Sequence, residues 1–396
     1  VVAAFERPTS REPCRRSDAS ASRARSKVGA RLVERGARRD GIHEHEELFP
    51  DDVAARAPLA SFPSTRRGGQ TMRAAVYRRH GPAADVLVLE ELDAPQPGPG
   101  EVRVRVAVSG VNPTDWKSRR GPGPGPVEGG FQVPNQDGAG VIDAVGPDVD
   151  PARVGERVWL YFAAWRRPYG TAAEYTVVPS HRAVPLPDGV GFDLGASLGI
   201  PAMTAHRCLF ADGPIGGHTV LVAGGAGAVG HYAIELARHA GATVIATVSS
   251  GEKAALAAAA GAQHVVNYRD DDAARRIRQA APAGVDRIVE VALAANLALD
   301  LAVAAPDASI VTYAAEQREP SLPVRELMTR NLLLRFVLIY TVPEPALRRA
   351  AGDITDALAA GVLTELPAHR YPLEDIAAAH DAVENGAIGK VIVDVR

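Results

Sequence analysis

Apolar β-branched runs alternate with helical periodicity through the second half of the chain. Strands are predicted at Thr219–Ala223, Thr243–Val248, His264–Val266, Arg287–Val291, Ser309–Tyr313 and Leu332–Leu338, with helical patterns between them such as the alanine-rich Glu252–Ala260. Six strands joined by helices make one complete doubly wound α/β sheet. From Met72 onward the pattern is different. Ala74–Tyr77, Val86–Leu92, Val102–Val108, Gly140–Val145 and Ala172–Val178 are short strand patterns split by Pro- and Gly-rich turns, among them Pro95–Gly100 and Gly121–Pro126. The second of these turns reads as a mobile loop. A linker-like change follows around Pro185–Gly199. Beyond the sixth strand come helices at Ala346–Ala360 and Leu373–Asn385 and a strand at Lys390–Val395. These are too few for a domain and are expected to return to the first one. The expected organisation is a leader outside the fold (1–71), the first part of a β-rich domain (72–198), the doubly wound domain (199–340) and the return (341–396).

The first strand of the doubly wound half ends in Gly225-x-Gly227-x-x-Gly230 and opens straight into an amphipathic helix. Strand, glycine turn, helix, strand is the order a dinucleotide pyrophosphate needs. Glycine lets the backbone approach the phosphates, and the helix N-terminus offers N–H groups and a positive dipole end. In a chain with 38 glycines the triplet alone is weak; its place between strand and helix makes it specific. An NAD site usually carries an acid about 20 residues after the first glycine, on the ribose 2′-OH. Here the second strand ends Thr247-Val248-Ser249-Ser250-Gly251-Glu252-Lys253. Hydroxyls and an ammonium suit a 2′-phosphate. Glu252 is the opposing acid, and the balance favours NADPH.

The chain has 396 residues, 46% hydrophobic and 23% charged, with net charge -3, enough for two globular domains and without the basic excess of a nucleic-acid binder. No apolar run reaches the roughly 18 residues of a membrane span. The longest, Leu332–Val342, is interrupted by Arg335 and suits a buried strand. Cys14 and Cys208 are the only cysteines, so a disulfide framework is not expected and a reducing cytoplasm fits. The first 71 residues carry 13 arginines, open on Val1 and include the acidic run His43–Asp52. Translation is expected to start at Met72, with Arg67–Thr71 encoded by a read-through ribosome-binding sequence. N-terminal sequencing decides this: a native peptide from within residues 1–71 refutes it.

Several separated motifs then converge: GVNPTDWK (Gly110–Lys117), QDGAGVIDAVG (Gln136–Gly146), VGERVW (Val154–Trp159), GTAAEYTVVP (Gly170–Pro179), PAMTAHRCL (Pro201–Leu209), the glycine loop, VVNYRDDD (Val265–Asp272) and GKVIVDV (Gly389–Val395). In this order the chain resembles the medium-chain dehydrogenase/reductase superfamily, in its zinc-independent, ζ-crystallin-like quinone oxidoreductase branch. The resemblance covers Met72 to Arg396. It implies a GroES-like catalytic domain built from both chain ends, an inserted Rossmann domain, and a cleft between them for nicotinamide and substrate. Zinc-dependent relatives need Cys, a His-Glu pair, and Cys or Asp. At those places stand Asn112 and Gln136-Asp137, and the four-cysteine structural lobe is missing. His43 and His45 lie in the leader. No metal is expected.

By resemblance the pyrophosphate lies over Gly225, Ala226, Gly227, Ala228, Val229 and Gly230. Lys253 and Tyr268, with Ser249 beside them and Arg269 adjacent, fall where relatives contact the 2′-phosphate; a solvated lysine and a tyrosine capping the sheet edge are the plain alternatives. Thr204 resembles the threonine facing the nicotinamide, against a helix N-terminal hydroxyl with only a local bond. Asn296 sits where relatives place an asparagine near the cofactor, and Tyr313 and Phe336-Val337-Leu338 fall at cleft-facing strand ends whose backbone groups hold the carboxamide in relatives, although their side chains alone read as core. Lys390 matches a position closing over the cofactor, against an ordinary surface lysine. Asn112 is a candidate partner of nicotinamide ribose or substrate carbonyl, and Asp115 reads more as a helix cap. Lys117 or solvent is the candidate proton source. Trp116, Phe131 and Trp165 offer flat apolar surface, or core packing. The expected activity is NADPH-dependent quinone reduction by a cytoplasmic homodimer or homotetramer acting on a small-molecule acceptor. Reduction of an activated C=C bond is the rival, and a low-turnover nucleotide- or RNA-binding or structural protein the alternative of another class.

Overall fold

The computed structural model describes residues 70–121, 130–315 and 320–395. The expected leader up to residue 69, and the Gly121–Pro126 turn from residue 122, lie outside them. The first elements are β1 (Thr71–Val76), α1 (Ala83–Val86), β2 (Val88–Asp93), β3 (Glu101–Val111), α2 (Pro113–Arg120), β4 (Asp137–Val145), β5 (Arg157–Leu160), β6 (Tyr175–Pro179) and β7 (Ala183–Pro185). Next come α3 (Phe192–Phe210), β8 (Thr219–Ala223), α4 (Ala228–His239), β9 (Thr243–Val248), α5 (Gly251–Ala259), β10 (His264–Asn267), α6 (Ala273–Ala280) and β11 (Val285–Glu290). The chain finishes with α7 (Leu293–Val303), β12 (Ala304–Thr312), α8 (Val324–Thr329), β13 (Leu333–Phe336), α9 (Glu344–Ala359), β14 (Ala368–Pro372), α10 (Ile376–Glu384) and β15 (Lys390–Asp394).

Strands β8 to β13 form one parallel six-stranded sheet in the order β10-β9-β8-β11-β12-β13. The order reverses between β8 and β11, and in such sheets ligands bind at that crevice, beyond the strand C-termini. The second sheet runs β14-β15-β3-β4-β5-β7, with β6 also on β3. β15 lies antiparallel to β3, so the C-terminal segment completes the sheet begun by the first strands.

One expectation fails outright. Pro185–Gly199 is no linker: Phe192–Phe210 is a helix with fifteen of its nineteen residues buried. Its glycines and Pro201 read as breakers in sequence, but here small residues admit neighbours. A Cβ on Gly199 would lie 2.0 Å from Asp137 Oδ1 and 2.8 Å from the Leu160 carbonyl oxygen. An apolar helix of this kind is stable only with all faces covered. It packs on β4 and β5 on one side and on α4 and α9 on the other. Leu198, Met203 and Leu209 share one core with Trp159, Val220, Ile234 and Ile354.

The Leu332–Val342 run also departs from expectation. Only Leu333–Phe336 is strand, and it is the sheet edge rather than a buried strand, with Phe336 68% exposed. In the first half, Pro82 starts a helical turn over Ala83–Val86, so β2 begins only at Val88.

Candidate active site

The glycine loop sits at the C-terminal end of β8, in the crevice of the six-stranded sheet. Gly225 N–H donates to the Thr247 carbonyl and Gly227 N–H to the Gly224 carbonyl, which closes the turn. Gly227 is the N-cap of α4, and His231 N–H is bonded back to the Gly227 carbonyl at 2.8 Å. Helix geometry leaves the Ala228, Val229 and Gly230 amides without an intrahelical acceptor. A Cβ on Gly230 would lie 2.4 Å from the Gly224 carbonyl oxygen, so only glycine lets α4 start this close to the turn. The arrangement fits a pyrophosphate.

Ser249 and Lys253 follow the C-terminal end of β9, and Tyr268 and Arg269 follow that of the neighbouring β10. Tyr268 N–H bonds the Val248 carbonyl, and Arg269 Nη1 donates to the Ser249 carbonyl at 3.4 Å, with its guanidinium 5.9 Å from the Tyr268 ring centroid. Ser250 caps α5 by accepting from Lys253 N–H at 3.3 Å. Tyr268 is 42% exposed, which leaves its ring open to a ligand. The residues that follow these two strand ends thus include two cations, two serines and a tyrosine, donor types that suit a phosphate.

A buried polar knot lies where β3, β4, β15 and α3 converge. The Asn112 amide nitrogen donates to Asp137 Oδ2 at 2.7 Å, and its oxygen accepts from Lys390 Nζ at 2.7 Å. Lys390 Nζ is 3.8 Å from Asp137 Oδ2. Pro201 interrupts the bonding of α3 here, and Ile200 N–H donates to both Asp137 oxygens, at 2.9 Å each. Asp115 Oδ2 accepts from Asn112 N–H at 2.7 Å, a helix cap as its position suggests. Burial pushes the Asp115 and Asp137 carboxyls up, and pushes the Lys390 ammonium down against the pull of Asp137 and Asp115. Lys390 is only 3% exposed, so the surface-lysine reading is corrected.

This knot bears directly on zinc. Where zinc-dependent proteins need thiolate or imidazole ligands, the site offers an amide, a carboxylate and an ammonium. A cation already faces Asn112 and Asp137, and a metal ion does not fit beside it. Among the described residues no three His, Cys, Asp or Glu side chains form a metal-ligand group.

The other predicted residues do not form one cluster. Thr204 is buried in the middle of α3, not at a helix N-terminus. Val337 is buried and donates its N–H to the Thr312 carbonyl, whereas Phe336 and Leu338 are exposed, so neither is a core side chain. Tyr313 follows β12 with its N–H on the Glu290 carbonyl at 3.2 Å. Lys117 is exposed, its ammonium 5.7 Å from the Trp116 ring centroid and outside the knot. Phe131 packs edge-on against Tyr169. Trp165 stacks on Tyr340, a residue that sequence reasoning missed because it lies within an apolar run read as strand.

Asn296 donates its side-chain N–H to Glu290 Oε1 at 2.9 Å. Asp300 on α7 is buried, and neither of its carboxylate oxygens nor Glu290 Oε2 has a hydrogen-bond donor among the described residues. Burial, then the Glu290 charge, pushes Asp300 up to about 9 from an ordinary 3.8. The folded protein therefore binds a proton that the unfolded chain has lost, and stability from this acid falls as pH rises through that window. Asp300→Asn mimics the neutral acid. It is expected to leave stability unchanged near pH 4 and to raise it at pH 9 by about 1–3 kcal/mol. Thermal unfolding at both pH values checks this, and a lower melting temperature for the variant at pH 9 counts against it.

Two family models match the chain, one described as alcohol dehydrogenase GroES-like domain over residues 98–188, the other as zinc-binding dehydrogenase over residues 228–352. The chain is 30% identical over 332 residues to the quinone oxidoreductase of Rattus norvegicus, covering 82% of this chain and 98% of that one. It is 32% identical over 324 residues to the 2-haloacrylate reductase of a Burkholderia species, covering 78% and 94%. A solved mycobacterial structure complexed with NADPH superposes with a TM-score of 0.71 at 29% identity, covering 82% and 99%.

Proposed function

We propose that this chain, which belongs to the medium-chain dehydrogenase/reductase superfamily in its quinone oxidoreductase branch, reduces quinones with NADPH and without a metal ion. The observation that carries the reading is the Asn112–Asp137–Lys390 knot. An ammonium in place of a Lewis acid suits an acceptor that takes a hydride unaided, and quinones are strong hydride acceptors. The cofactor supplies the hydride, and one proton completes the hydroquinone. The protein holds the reactants together and excludes water, which is mostly positioning chemistry. The 2-haloacrylate reductase relative favours a second reading, reduction of an activated C=C bond. Steady-state NADPH oxidation against a panel of quinones and enals separates the two. Quinones are expected to be turned over faster, and preference for enals or haloacrylates overturns the first reading.

NADPH over NADH rests on Ser249, Lys253, Tyr268 and Arg269. A charge-assisted phosphate contact contributes on the order of 1.5–3 kcal/mol, roughly tenfold to a hundredfold in affinity. Lys253→Ala is expected to raise KM for NADPH by that factor and leave KM for NADH nearly unchanged. Equal weakening of both cofactors, or a wild type that prefers NADH, counts against this assignment.

The proposal extends to a homo-oligomer in the cytoplasm. No helix among the described residues is long and apolar enough to cross a membrane. The β13 edge exposes Leu333 (42%) and Phe336 (68%), with Met328 (70%) on the preceding helix. An open apolar edge is an aggregation hazard unless paired. Light scattering at micromolar concentration is expected to return at least twice the chain mass, and a monomer refutes the pairing.

A further inference from the structure

Tyr340 lies on the short turn Ile339–Thr341, just past the last strand of the six-stranded sheet, yet its side chain is held by the other half of the molecule. Its ring lies flat on the Trp165 indole, with centroids 4.3 Å apart and an interplanar angle of 18°. Phe162 closes a second side at 4.8 Å. The phenol hydroxyl donates to Thr114 Oγ1 at 2.9 Å. Thr114 stands between Asn112 and Asp115 at the start of α2, so the phenol oxygen is placed beside the buried knot.

The holder is itself unusual. Phe162 and Arg166 adopt left-handed backbone conformations, with φ of 57° and 56°. A bulky non-glycine residue rarely does so, and such strain clusters at functional sites. Arginines brace the same rings: the Arg182 guanidinium is 5.6 Å from the Phe162 centroid and that of Arg166 is 5.4 Å from Trp165. The space that the Tyr340 ring occupies between them has the size of one flat six-membered ring, with a hydroxyl partner at one edge. That is the shape and polarity of a quinone or quinol ring.

We propose that Trp165, Phe162 and Thr114 form the acceptor niche, which takes a single quinone ring with one oxygen on the Thr114 hydroxyl, and that Tyr340 fills this niche until the acceptor displaces it. The inference rests on the quinone reading above. A tethered phenol competes intramolecularly, so the acceptor binds only the fraction of molecules in which Tyr340 has swung out, and its apparent affinity falls by that fraction.

Tyr340→Ala tests this. It is expected to lower KM for 1,4-benzoquinone by about tenfold, with Tyr340→Phe in between because it keeps the stacking and loses the Thr114 bond. p-Cresol, the free form of the deleted side chain, should inhibit Tyr340→Ala competitively with quinone, at concentrations at least about tenfold below those needed on the wild type. A higher KM for Tyr340→Ala shows that the ring is a wall and not an occupant, and overturns the proposal. Inhibition by p-cresol that is not competitive with quinone overturns it as well. If benzoquinone is reduced by neither wild type nor variant, the quinone reading falls by itself. Calorimetry then judges the niche: p-cresol binding to Tyr340→Ala but not to wild type supports it, and binding to neither overturns it.

Discussion

Replacing Lys390 by methionine is expected to destabilise the protein by about 3–5 kcal/mol, the usual result of removing one partner from a buried ion pair. Methionine keeps most of the volume, so the loss is electrostatic. Asp137 is fully buried, and without the ammonium its charge is met only by the Ile200 and Asn112 N–H groups. Asn112 Oδ1 loses its donor in the same step. The double variant Lys390→Met with Asp137→Asn removes both charges and is expected to recover part of the loss, which makes the two substitutions non-additive. Denaturant unfolding of the two single variants and the double variant measures the coupling. A Lys390→Met protein within about 0.5 kcal/mol of wild type means that this lysine is neutral in the fold and that no cation stands in the metal's place.

The legible part of this fold is local. The glycine turn, the two strands around it and the hydroxyl-and-lysine tip of the second strand announce themselves within about thirty residues, because period, turn chemistry and dipole all act at short range. The polar knot has no such signal. Asn112 meets Asp137 at a separation of 25 residues and Lys390 at 278, and a single sequence does not record which buried groups satisfy one another. Helix α3 was hidden for a related reason. Gly195, Gly199 and Pro201 lower helix propensity by the local rules, while the benefit of glycine, room for the Asp137 carboxylate and the Leu160 carbonyl, exists only after packing. Tyr340 was hidden inside an apolar run whose strand ends four residues earlier, at Phe336.

Gly230→Ala is expected to raise KM for NADPH and for NADH alike, by about a hundredfold or more. The added methyl would meet the backbone of the turn: Gly224 O at 2.4 Å, Gly225 Cα at 2.9 Å and Gly224 C at 3.0 Å. No rotamer relieves such a contact, since Cβ has no torsion of its own. Relief requires α4 to slide away from the turn, and the Ala228, Val229 and Gly230 amides move with it. A displacement of about 1 Å in groups that position a reactant costs on the order of a hundredfold. The far-UV spectrum should stay close to wild type, because the clash lies at the mouth of the helix and the six-stranded sheet keeps its pairs. The two cofactors differ only at the 2′ position, so a defect in the pyrophosphate cradle treats them equally, whereas Lys253→Ala discriminates between them. If Gly230→Ala spares NADH, the loop does not hold the group that both cofactors share.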